Sequence, residues 1–206
     1  NDFTRHGGLG LLNNYYGCSV ATALAEFKPL MQLEEWRFET VPQGFWCSAE
    51  NRHRYMDWLA FKLKIRTPEL WYGVTVQDIR DNYGVTPLTM CGGSIYRMVL
   101  EYLPNFHWKP WLFHYTPSGY WEDAENRKEY LHWLGKELFY KSPKDWYQIR
   151  EAHFLRSGGS WLFAKYYGYS PLRAAQERYP NFKWNPDRFR DQANKKTRSP
   201  ETTCVA

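Results

Sequence analysis

Two identical polar triplets, Glu50-Asn51-Arg52 and Glu125-Asn126-Arg127, lie 75 residues apart, each set among aromatic residues. In the first turn of a helix a glutamate complements the helix dipole, whereas an arginine opposes it and needs a compensating partner. That partner is either internal (Glu101 or Glu177, or the ring of Tyr55 or Tyr130) or external. The external partner is a phosphate met by the guanidinium and the unpaired N–H groups of the helix start. This alternative makes Arg52, Arg54, Arg127 and Lys128 candidates for RNA contact, with Lys109 and the C-terminal series Lys183, Arg188, Arg190, Lys195, Lys196 and Arg198. Exposed rings beside such cations stack on unpaired bases. Trp111, Tyr115, Tyr166, Tyr167 and Tyr169 read as loop or helix-end residues and are the stacking or docking candidates.

Covalent and metal chemistry would need converging His, Cys, Asp or Glu. The histidines at 6, 53, 107, 114, 132 and 153 do not recur between equivalent positions: His53 faces Lys128 and His132 faces Asp57. There is no His-x-x-x-His and no Cys-x-x-Cys, and Cys18, Cys47, Cys91 and Cys204 are each replaced at equivalent positions. Gly7-Gly8-x-Gly10 and Gly158-Gly159-Ser160 lack the Lys-Ser/Thr of a phosphate loop and read as helix-start turns. Ser19, Ser94 and Ser170 sit where N-caps belong, not nucleophiles. The expectation is therefore no catalytic set, no metal and no cofactor; an enzyme reading requires a site between units.

The chain has 206 residues, with 27 Lys+Arg against 22 Asp+Glu, a net charge of +5. Charge is graded: 1–43 carry −2, 44–118 carry +2, 119–193 carry +3 and 194–206 carry +2. That is a moderate footprint for an RNA surface. No apolar run reaches the ~18 residues of a membrane span. Four Cys do not make a disulfide framework, and free thiols point to a reducing intracellular compartment. The chain opens on Asn1, which reads as a processed or trimmed chain, and no signal peptide is visible. Trp, Tyr and Phe sum to 39 residues against 30 Leu, Ile and Val, and this excess of rings needs an explanation.

Periodicity supplies it. Trp46, Trp58 and Trp71 recur as Trp121, Trp133 and Trp146, and positions 44–72 match 119–147 at 13 of 29 positions. Chance gives roughly two. A second block occurs three times as Ser19…Glu26-x-x-Pro29, Ser94…Glu101-x-x-Pro104 and Ser170…Glu177-x-x-Pro180. Leu33 stands where later copies carry Trp108 and Trp184, and Phe38, Phe113 and Phe189 close the block. The reading is a half unit (1–41), two full units (42–116 and 117–190) and a basic tail (191–206).

The positioning elements are helices. Tyr55, Trp58, Leu59 and Leu63 form one apolar stripe over 48–65, with Ser48 as N-cap; Tyr130, Trp133, Leu134 and Leu138 form its counterpart behind Asp123. Both helices should stop before Pro68 and Pro143. Short helices are predicted over 76–82 and 150–156, and others before Gly17 and Gly168 as C-cap glycines. Helices from Ser19, Ser94 and Ser170 should end before Pro29, Pro104 and Pro180. Residues 108–113 read as an extended link. No strand pattern of useful length occurs, so the fold class is all-α: a tandem repeat of small Trp-rich units of about four helices each. Most rings are core, because a small unit buries little surface and a ring buries more than an aliphatic.

Myb-type repeats place their tryptophans 18–19 residues apart; the 12- and 13-residue spacings here do not fit. The signature Gly-Phe/Tyr-Trp…Glu-Asn-Arg…Tyr-x-x-Trp-Leu…Trp-Tyr, followed by Pro-Asn-Phe-x-Trp, resembles a Trp-rich tandem helical repeat of protist, algal and some fungal proteins. It covers nearly the whole chain, implies repeat architecture and brings no activity. The expected function is a non-enzymatic, RNA-contacting structural subunit of a large ribonucleoprotein particle, such as a mitochondrial ribosome, with RNA and neighbouring proteins as partners and no membrane insertion. The alternative is a protein-binding scaffold or assembly subunit.

Overall fold

The computed structural model describes residues 5–28 and 33–189. It is 62% helix, with no strand among the described residues, so the chain is all-α. The helices are α1 (Leu9–Tyr15), α2 (Val20–Phe27), α3 (Ala49–Lys62), α4 (Val76–Asp81), α5 (Val85–Met90), α6 (Ile95–Tyr102), α7 (Ala124–Glu137), α8 (Glu151–Arg156), α9 (Ser160–Tyr167) and α10 (Pro171–Arg178). Serine caps set several starts. Ser48 accepts the N–H of Asn51, Ser19 that of Thr22, Ser94 that of Arg97 and Ser170 that of Arg173, each cap contributing about 1 kcal/mol. Asp123 does the same for Glu125 at 2.8 Å. α3 and α7 end at Lys62 and Glu137. Pro68 and Pro143 then open short 3₁₀ turns, Pro68–Gly73 and Pro143–Gln148, since proline pre-sets the first-turn φ and has no N–H to leave unpaired.

The chain divides into two compact units, 1–108 and 109–206. In the first, Trp36 meets Tyr55 edge-on at 5.7 Å and lies 5.6 Å from Trp58, while Trp46 meets Tyr55 at 5.3 Å. Tyr55 and Leu59 are fully buried on α3. Trp71 packs on Tyr102 of α6 at 5.9 Å, and Leu33 is buried.

In the second unit Trp111 meets Tyr130 edge-on at 5.5 Å and lies 5.3 Å from Trp133, while Trp121 meets Tyr130 at 5.3 Å. Trp146 packs on Tyr179 at 6.2 Å. Edge-on ring pairs add roughly 0.5–1.5 kcal/mol beyond area burial. The expected extended link over 108–113 is corrected here. Pro110–Leu112 is a 3₁₀ turn, and Trp111 within it is buried in the core at 1% exposure. Gly158 and Gly159 answer to the same packing. A Cβ on Gly158, whose φ is +72°, would collide with the carbonyl of Trp111, and one on Gly159 with the hydroxyl of Tyr130.

Candidate nucleic-acid interface

In each triplet the Asn and Arg turn toward the protein, while Glu50 and Glu125 are exposed. Asn51 Nδ2 donates to the Phe45 carbonyl at 2.9 Å and Asn126 Nδ2 to that of Tyr120 at 2.7 Å, so each ties a helix start to the turn before it. Arg52 Nε donates to Glu101 at 2.7 Å and Nη1 to the Trp46 carbonyl at 2.6 Å. Arg127 Nε donates to Glu177 at 2.9 Å and Nη1 to the Trp121 carbonyl at 2.8 Å. The Arg127 guanidinium also lies 4.6 Å from the Tyr166 ring centre. The phosphate-site expectation for Arg52 and Arg127 is corrected accordingly: their donors are spent on a carboxylate and carbonyls. Arg54 is likewise committed, to Glu35 at 3.0 Å and the Leu33 carbonyl at 2.8 Å.

The remaining cations differ. Lys128 pairs with Glu125 at 2.7 Å, but both side chains are more than half exposed, and such a surface pair is weak and readily exchanged. Lys109 is half-buried, whereas Lys183 and Arg188 are exposed. The Arg188 guanidinium covers the Tyr147 ring at 4.0 Å. Arg190, Lys195, Lys196 and Arg198 lie outside the described residues.

Of the stacking candidates, Trp111 and Tyr167 are 1% and 2% exposed. Both are core residues and offer no face to a base, which corrects their assignment. Tyr166 is half-buried over Arg127. Tyr115 and Tyr169 are 79% and 63% exposed.

Each compact unit carries a cleft between the segment that leads into its long helix and a later short helix, α5 in the first unit and α9 in the second. In the second unit the cleft measures about 440 Å³, with Trp111 and Trp121 in its lining beside His114, Tyr115, Glu122, Trp161 and Lys165. Trp161 is 51% exposed, and the Lys165 ammonium lies 4.5 Å from its ring centre. In the first unit a cleft of about 510 Å³ is lined at the positions 75 earlier by Glu39, Thr40, Cys47, Thr86 and Met90, over Trp46.

Sequence reading missed Trp161 and Lys165. A usable signal existed: every other Trp in the chain has a Trp 75 or 76 residues away, and Trp161 faces Thr86. A ring that the shared core pattern does not require marks a surface position.

Among the described residues no group of three His, Cys, Asp or Glu could hold a metal ion, and no helix is long and apolar enough to cross a membrane. No protein-family model, curated protein or solved structure matches the chain.

Proposed function

We propose that this protein is a non-enzymatic, RNA-contacting structural subunit of a large ribonucleoprotein particle, such as a mitochondrial ribosome. The observation that carries the reading is the partition of charge. Residues 1–108 hold 10 basic and 11 acidic side chains, and residues 109–206 hold 17 and 11. The whole positive excess thus belongs to one compact unit, the arrangement that attracts a polyanion to one surface. The tandem arrangement of a half unit and two full units belongs to the same proposal. It is supported by the matched Arg52–Glu101 and Arg127–Glu177 pairs and by the matched ring geometries around Tyr55 and Tyr130. The resemblance to Trp-rich repeats supports the architecture alone. The free thiols of Cys18, Cys47 and Cys91 fit a reducing compartment.

The test is the affinity of the chain for single-stranded RNA across a salt series. The expected result is a fall in log affinity linear in log salt, with a slope of about −0.7 per phosphate contacted. Binding absent at low salt, or insensitive to salt, overturns the reading. A second reading, a protein-binding scaffold, is favoured by one observation: Leu9, Leu11, Tyr15 and Phe27 on α1 and α2 are 44%, 46%, 77% and 68% exposed. Copurification of partner proteins that survives nuclease treatment supports it.

A further inference from the structure

The two clefts hold corresponding positions in the two compact units and share a framework: Pro42, Gly44 and Trp46 in one, Pro117, Gly119 and Trp121 in the other. Their rims differ. Glu39, Thr40, Thr86 and Met90 in the first cleft are matched by His114, Tyr115, Trp161 and Lys165 in the second. At two exposed positions a small polar side chain has become a large ring. Tyr115 and Trp161 stay 79% and 51% exposed, and neither belongs to the buried core, so core packing does not account for the exposed ring faces.

We propose that the second-unit cleft takes an unstacked base of single-stranded RNA, stacked on Trp161 and Tyr115, with Lys165 meeting the adjoining phosphate. This rests on the RNA-contacting reading above. Three observations favour a base as the occupant. The volume of about 440 Å³ lies in the usual range of small-ligand sites, about 300–1,000 Å³. The rim presents two rings, and every base has a π-face for a ring to stack on. The lining also includes the carboxylate of Glu122. A carboxylate repels a bare phosphate but accepts from an exocyclic amine such as that of cytosine. Lys165, on the ring of Trp161 at 4.5 Å, has a flexible stem that lets the ammonium swing to a phosphate while the ring stays seated. The cleft belongs to the unit that holds the entire positive excess, so the strand is attracted to the surface that carries it.

The experiment measures binding of the full chain to a fluorescent twelve-nucleotide oligocytidylate and to an abasic strand of the same length and backbone. Stacking contributes ~1–3 kcal/mol per base, so oligocytidylate should bind about 5- to 150-fold more tightly than the abasic strand. Trp161→Ala and Tyr115→Ala should each erase most of that preference while leaving abasic binding and its salt slope unchanged. Trp161→Phe should retain it, and Thr86→Ala in the first cleft should alter neither probe. Thermal unfolding of each variant verifies that these exposed substitutions leave the fold intact. Equal, salt-dependent binding of both probes, unaffected by Trp161→Ala, overturns the cleft assignment and leaves the RNA-contacting reading standing. Absence of binding to either probe overturns both. Retained base preference in the Trp161→Ala/Tyr115→Ala double variant places base recognition elsewhere and also overturns the assignment.

Discussion

Tyr55 and Tyr130 hold the same place in their respective cores and are both fully buried, yet their hydroxyls differ. That of Tyr55 donates to the Asn82 carbonyl at 3.0 Å, whereas that of Tyr130 has no hydrogen-bond partner among the described residues. Tyr55→Phe should therefore cost about 1 kcal/mol in urea unfolding, and Tyr130→Phe should cost nothing or stabilise. Gly159→Ala should cost about 1–3 kcal/mol, because the added methyl meets the Tyr130 hydroxyl; combining it with Tyr130→Phe should recover part of the loss. The histidines give a pH dependence of definite sign. Burial, then Arg150 and Arg156, lowers the pKa of His153, whose Nδ1 accepts the Arg150 backbone N–H at 3.2 Å. Burial, then Lys136 and Arg178, lowers that of His132. Their folded-state pKa values lie below that of the unfolded chain, near ~6.5. As pH falls through that value the unfolded chain takes up protons first, so stability is full above it and declines below it. The melting temperature should drop between pH 7.5 and 5, and by less in a His132→Gln/His153→Gln variant.

At the scale of elements, two salt bridges do similar jobs. Arg52–Glu101 joins α3 to α6, and Arg127–Glu177 joins α7 to α10. Side-chain exposure of 15% and 22% makes the second pair the drier one. Glu177→Gln should cost about 1.5–3 kcal/mol, the range for hydrogen bonds to charged groups. Arg127→Ala should cost more, since it also releases the Trp121 and Glu122 carbonyls. A double-mutant cycle between the two residues should show coupling; additive losses would mean that the pair contributes little. Helix starts and stops were legible in the sequence, because caps, prolines and i, i+3, i+4 stripes are local signals. The 3₁₀ turn at Pro110–Leu112 was not, because what bends it is the burial of Trp111 beside Tyr130.

For the whole molecule, the governing fact is where uncommitted charge resides. The arginines of the triplets carry charge in the count but are neutralised by Glu101 and Glu177, as Arg54 is by Glu35. Replacing Lys183 and Arg188 with Gln should therefore lower the salt slope of RNA binding by up to ~0.7 for each phosphate that these side chains neutralise. Replacing Arg54 with Gln should leave the slope unchanged. Filter binding across the same salt series measures both. A slope that responds to Arg54 and not to Lys183 would move the interface to the first compact unit.

The sequence by itself determined the helical class and most of the helix starts, because caps, prolines and apolar stripes depend on neighbours within a turn or two of chain. It also narrowed the partner of Arg52 and Arg127 to a carboxylate, a ring or a phosphate. Choosing among them needed the tertiary structure, since Glu101 and Glu177 approach only when helices about 50 residues apart along the chain pack together. The same holds for the rings. Periodicity accounts for tryptophans that recur, but only the folded chain separates buried Trp111 and Tyr167 from exposed Tyr115. Only the folded chain sets Trp161 and Lys165 beside Tyr115 on one cleft. Exposure is a property of what packs around a residue, and that is settled by distant segments, not by the residue's own neighbours in sequence.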